Sequence, residues 1–210
     1  MNPMSQLSRT MRNAVRQVRA IANNKRGVAA IEFGFIVPVL LCMYLVTMEA
    51  SDAIEVNKKV SRMASTVADL VTQQSRMQKS EVLAVMKIAT ASLQPYNRSK
   101  PSLEITAIQM GTETTPVARA AWSVKLDSSG NAAAVVAKTS VINDARLDNI
   151  RTAGAFYIRV SSHLPYQSMM AYSPTGEGLG LLSAFTNIQM GETFYLRPRV
   201  STTIPCDDCP

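Results

Sequence analysis

The chain has 210 residues, 47% of them hydrophobic, and a formal net charge of +7 from 22 basic and 15 acidic side chains. Six basic residues (Arg9, Arg12, Arg16, Arg19, Lys25 and Arg26) precede Gly27 and no acid does, so the rest of the chain is close to neutral. That placement argues against a nucleic-acid partner, because the excess charge is not on the folded part.

Residues 1–27 read as a basic cytoplasmic leader and a candidate for cleavage. Arg9, Arg12, Arg16 and Arg19 would share one helical face, with Met11, Val15, Val18 and Ala22 on another. Two readings stand: a segment lying along an anionic inner leaflet, or a disordered tail.

From Val28 to Met48 there are 21 residues, of which Glu32 alone is charged. One bilayer crossing takes about 20 apolar residues, so residues 28–49 are assigned as a transmembrane helix in contact with membrane lipid. The purely basic flank before it keeps the N-terminus in the cytoplasm, and the mixed flank (Glu49, Asp52, Glu55, Lys58, Lys59, Arg62) is exported. The apolar run exceeds a secretory h-region and ends Thr47-Met48-Glu49-Ala50-Ser51, without a small-x-small site. The span is therefore expected to stay in the product. Pro38 has no N–H for the Gly34 carbonyl and is expected to kink the helix.

Glu32 lies about 6 Å inside the apolar boundary at the helical rise. It is either an interfacial residue that snorkels or part of a device shared with Gly27. If the chain is cut between Gly27 and Val28, Glu32 becomes the fifth residue of the new chain. A neighbouring subunit's N-terminal amine would then neutralise it, which registers stacked helices.

Basic leader, Gly27, four small or apolar residues, Glu32 and Phe33 resemble the processing junction of type IVb prepilins of the Flp type. The continuation Ile31-Glu-Phe-Gly-Phe-Ile-Val-Pro-Val-Leu-Leu41 is similar to TadE-like (TadE/TadF type) pseudopilins of the Tad (tight adherence) pilus system, and Phe194-Tyr-Leu-Arg-Pro-Arg199 resembles that family's closing strand. The resemblance is strongest over residues 25–50. It departs from the major Flp pilin in having Phe33 in place of Tyr and in its much greater length. It implies cleavage after Gly27 by a prepilin peptidase and subunit registration through Glu32 and Phe33. The implied partners are other Tad pilus subunits and pseudopilins and an inner-membrane assembly platform, and the implied role is in pilus assembly, as a minor component.

Beyond the span, residues 50–76 are expected to continue as helix. Val56, Val60, Met63, Val67 and Leu70 form a 4-3-4-3 seam, either a projecting stalk or, the reading preferred here, a stripe packed on the chain's own domain. Residues 77–210 read as an exported α+β domain. A helix is expected over Ser80–Leu93, N-capped by Ser80, with Val82, Val85, Met86 and Ala89 as its apolar face. Strands are expected at Leu103–Met110 (Leu103, Ile105 and Ala107 on one side), Ala120–Leu126 (Trp122, Val124, Leu126), Ala155–Ser161 and Thr193–Ser201, with Pro198 placing the last at an edge or bulge. Residues 135–150 should be loop with a short helix, and Leu164–Gly191, holding two prolines and several glycines, a long surface excursion. The fold class is thus α+β: a long N-terminal transmembrane helix, then an antiparallel sheet of about four strands with helices packed on one face.

Catalytic signatures are missing. His163 is the sole histidine, and no nucleophile elbow, phosphate loop or zinc motif is present. No catalytic residue, metal or cofactor is expected, and the chain is read as a non-enzyme. Cys42 is a small apolar residue of the span. Cys206 and Cys209 form a C-x-x-C lacking the context of a redox helix or of a second zinc half-site. A disulfide clamping the tail is favoured in an oxidising compartment, with free or intermolecularly bonded thiols as the other options. The alternative to a pseudopilin is an uncleaved single-span envelope protein whose exterior domain binds a ligand or protein partner.

Overall fold

The computed structural model describes Arg16, residues 27–169 and residues 188–210. The helical faces expected in the leader, and the centre of the 164–191 excursion with Pro174, Gly176, Gly178 and Gly180, lie outside the described residues. The chain divides between Met48 and Glu49 into two units, and helix α1, Val28–Thr72, contributes to both.

In the first unit, α1 carries its large apolar side chains outward: Ile31, Phe33, Phe35, Leu40, Met43 and Tyr44 are all exposed. It is the one helix among the described residues long and apolar enough to cross a membrane. Pro38 sits inside it with helical backbone on both sides. Thr47 Oγ1 donates to the Met43 carbonyl at 2.8 Å, which satisfies a hydroxyl within the apolar stretch.

In the second unit the same helix is buried along one stripe: Val56, Val60, Met63, Ala64, Val67, Ala68 and Val71. These residues belong to the main core together with the sheet, so this part of α1 packs on its own domain. The expected seam ends differently. Leu70 is 38% exposed and Val71 is fully buried, because a straight helix repeats every 3.6 residues and drifts away from a 3.5-residue seam. The helix ends at Thr72, where the Arg199 N–H reaches the Thr72 carbonyl at 2.9 Å and the Arg199 guanidinium pairs with Asp69 at 2.8 Å. A cation there also suits the negative end of the helix.

Helix α2 spans Lys79–Ala91 and buries Val82, Met86 and Ala89, with Val85 packed at the margin. Its cap is Gln78, two residues earlier than the expected Ser80. Glu81 Oε2 accepts from the Gln78 N–H at 2.8 Å, and an acid far along the chain, Asp208, accepts from the Lys79 N–H at 2.8 Å. Helix starts need such acceptors, and a long-range one leaves no local sequence signal.

Among the described residues the sheet has five antiparallel strands in the order β3-β2-β1-β4-β5. They are β1 Ser102–Met110, β2 Ala118–Leu126, β3 Ala132–Ala133, β4 Phe156–Tyr166 and β5 Ile188–Leu196. Leu103, Ile105, Ala107, Trp122, Val124, Leu126, Ile158 and Val160 face the helices. A bulge opposite Ala107/Ile108 inserts Ala121 into β2 and reverses the parity of that strand. Ala118 and Ala120 thereby turn to the second face, where they join Ile108, Met110, Tyr157, Ile142 and Leu147. Leu147 comes from the short helix α3, Ala145–Asp148, within the segment expected to be loop with a short helix.

Two expected boundaries move. β4 runs on to Tyr166 through Pro165, which is tolerated because β1 has already ended opposite His163. β5 lies at 188–196 instead of 193–201: it stops before Arg197-Pro198, and the chain then turns toward the end of α1. The 164–191 excursion is shorter by a strand segment at each end. At Gly191 the β4 backbone comes close; a Cβ there would lie 2.5 Å from the Ser162 carbonyl oxygen.

The stripe assignment can be tested by truncation. Met63→Ala, at a site 1% exposed, is expected to cost about 2–5 kcal/mol, whereas Leu70→Ala should stay within about 0.5 kcal/mol. Urea midpoints of the full chain in detergent would separate them.

Candidate functional site

The N-terminal junction is the first candidate. Gly27 and Val28 are exposed, and α1 begins directly after Gly27. A Cβ on Gly27 would meet no atom within 4 Å, and Gly27 is not among the residues with positive φ. The fold therefore sets no requirement for glycine at this position. Glu32 is exposed and Phe33 is 69% exposed. Among the described residues no ion pair or hydrogen bond reaches the Glu32 carboxylate. Gly27, Val28, Glu32 and Phe33 thus form an exposed stretch of helix start, while Pro38 lies further along it.

A second candidate escaped the sequence reading. Traced backward, the buried stripe of α1 reaches Glu49, which is 2% exposed, and Asp52 one turn on. Tyr166, from the end of β4, places its hydroxyl 2.7 Å from Glu49 Oε1 and 3.0 Å from Asp52 Oδ2. The Met169 N–H also reaches Glu49 Oε1, at 3.2 Å. Arg98 pairs with Asp52 and stacks its guanidinium 4.8 Å from the Tyr96 ring centre and 5.8 Å from that of Tyr166; the two rings stack on one another. Tyr96 is held in turn by Ser99 and by the Gln167 N–H. Burial, then the hydrogen bonds to Glu49 and Asp52, raise the Tyr166 hydroxyl far above the ordinary tyrosine range, so it stays a donor at every physiological pH. A carboxylate at a stripe position of the seam was the available signal. The aromatic and cationic partners come from distant chain and carried none.

A third cluster lies on the other face of the sheet. Asp144 caps α3 by accepting from the Arg146 N–H at 3.0 Å and also accepts from the Tyr195 hydroxyl, with Arg159 3.9 Å away. The Tyr195 bond, followed by the Arg146 N–H and Arg159, holds Asp144 below the ordinary carboxylate range against its partial burial. Burial and the same bond push Tyr195 up to about 12. Beside it, Arg197 stacks over Tyr157 at 5.1 Å and donates to its hydroxyl at 2.7 Å.

Cys206 and Cys209 are joined by a disulfide, and both are buried. Asp208 lies close to the two sulfurs, but its Oδ1 accepts from the Lys79 N–H and bonded sulfurs offer no thiolate to a metal. His163 is exposed on β4, opposite Ser102 and Gly191.

No family model, curated protein or solved structure matches this chain.

Two measurements probe these clusters. Tyr166→Phe strips the buried Glu49 of its hydroxyl donor and is expected to lower stability by about 1–3 kcal/mol, read as a shift in urea midpoint. The Asp144–Tyr195 pair sets a pH signature. Asp144 is depressed in the fold, so its contribution is present above the ordinary value of 3.8 and is lost as pH falls through the folded value. Tyr195 is raised, so its contribution is present below the ordinary 10.0 and is lost as pH climbs toward about 12. The stability gap between the parent chain and Asp144→Asn should be flat from about pH 5 to 9 and shrink below about pH 4.

Proposed function

We propose that this protein is a minor, non-enzymatic pseudopilin of a Tad-type (type IVb) pilus system. The basic leader holds the N-terminus in the cytoplasm, a prepilin peptidase cuts between Gly27 and Val28, and the Val28–Met48 helix stays in the inner membrane. The α+β domain is exported. Its partners are the other pilus subunits and the membrane assembly platform.

The observation that carries this reading is the helix itself. α1 begins at Val28, immediately after a glycine that the fold does not need, and runs 45 residues without interruption. Its outward apolar part contains a single carboxylate, Glu32, which has no partner among the described residues. An unpaired carboxylate at membrane depth is costly, and a subunit's new N-terminal amine would offset that cost during stacking. Because the Val56–Val71 stripe is committed to the domain core, the continuous apolar helix surface left for neighbouring subunits is the stretch before Glu49. Among the described residues the chain offers one helix able to cross a membrane and one compact domain, which suits an initiating, capping or adaptor subunit.

In the native host, Gly27→Leu is expected to leave the chain uncut and abolish surface pili. Glu32→Ala should be cut normally and still abolish them, with unchanged domain stability because Glu32 belongs to the first unit. Wild-type pilus counts by electron microscopy in both variants would refute the proposal.

A further inference from the structure

The last residues of the chain tie together elements that do not otherwise share hydrogen bonds. The Trp122 indole N–H donates to the Ile204 carbonyl at 2.8 Å, and the Met77 N–H donates to the Pro205 carbonyl at 3.0 Å. Arg76 pairs with Asp207 at 3.0 Å, the Lys79 N–H reaches Asp208 at 2.8 Å, and the Ser123 N–H reaches the Pro210 carbonyl at 3.1 Å. Ile204, Cys206 and Cys209 are buried in the main core. Yet residues 202–210 form no helix or strand of their own, so nothing periodic offsets the entropy of ordering them. The four-residue ring closed by the Cys206–Cys209 bond is what keeps Asp207 and Asp208 in one tight turn, each facing a different group of the 76–79 segment.

We propose that the Cys206–Cys209 bond is an oxidative clasp: its closure docks the tail, caps α2 and seals Trp122, so that the domain is completed only where thiols are oxidised. On closure one S–S bond forms, and two protons and two electrons pass to an oxidising disulfide, which leaves as a dithiol. A small dithiol reverses the step. It becomes a cyclic disulfide, and the chain regains two thiols. With the ring open, the tail loses its preorganisation. The Lys79 N–H and the Trp122 indole then lose their acceptors, while the β1–β4 pairing, which involves no tail residue, stays intact. The effect is local, as a ring this short constrains little of the unfolded chain.

The test uses the full chain in detergent, with dithiothreitol as reductant and alkylation mass to count thiols. Once both thiols are free, hydrogen exchange in 76–82 and 203–210 is expected to rise about tenfold or more, with 103–108 unchanged. Emission of the single tryptophan should shift to the red. Cys206→Ser/Cys209→Ser should show the same pattern without reagent and no response to it; if that variant does not fold, reduction of the folded parent chain decides alone. Two free thiols with exchange at the oxidised rate would overturn the clasp. So would a bond that opens only as exchange in 103–108 rises in step, since tail and sheet would then be one cooperative unit.

Discussion

The buried stripe on α1 from Val56 to Val71 is the contact on which the α+β domain depends. It supplies a continuous run of side chains to the core that also holds α2 and the helix-facing side of β1, β2 and β4. Apolar burial is the dominant favourable term in folding, and among the described residues no other helix offers the sheet so long an apolar surface. In the first unit the same helix shows the opposite pattern, with its large apolar residues exposed. One helix therefore carries two surface patterns, one long and apolar enough to cross a membrane and one that packs on a core. Its sequence changes from apolar all round to apolar on one stripe near Glu49, and it keeps helical geometry throughout because the only breakers, Gly34 and Pro38, fall in the apolar half.

Around that stripe the fold is closed by contacts between residues far apart in the chain. Tyr166 joins the end of β4 to Glu49 and Asp52. Arg199 joins the chain after β5 to the last turn of α1, and Asp208 joins the tail to the first turn of α2. Each satisfies a polar group that would otherwise be left unmet at a helix end or in the core, where an unpaired group costs more than the pair contributes.

What was legible in the residues follows from this division. Periodic elements showed themselves: the 21-residue apolar run, the seam, α2, and the alternation of Trp122, Val124 and Leu126 all reflect local spacing that the backbone geometry converts directly into faces. The misses share a different cause. Leu70 was placed in the seam because a 3.5-residue repeat was extended one step too far. Ser80 fits a cap by local spacing, whereas the acceptors at the helix start include Asp208, 129 residues from Lys79. The β2 bulge at Ala121 changes which face two alanines occupy, and alanines carry too little hydrophobic contrast to announce it. The shift of β5 reflects Pro198: a proline that ends a strand and one at its edge look alike until the neighbouring strand is known. The Glu49–Asp52–Tyr96–Arg98–Tyr166 cluster had a single sequence clue, a carboxylate on the buried stripe.

The accessible Gly27–Val28 junction, a Glu32 with no partner among the described residues and a domain whose core includes the 56–71 stripe of the same helix are the features behind the proposed subunit, one inserted, trimmed and then stacked through its apolar helix. Trimming is the step on which that proposal rests, because it would create the amine that gives Glu32 a role. The most direct measurement is the intact mass and N-terminal sequence of the protein extracted from membranes of its native host. The account requires a mature chain that begins at Val28. A chain that still begins at Met1, in cells whose prepilin peptidase is active, would contradict it and assign the protein to uncleaved single-span anchors.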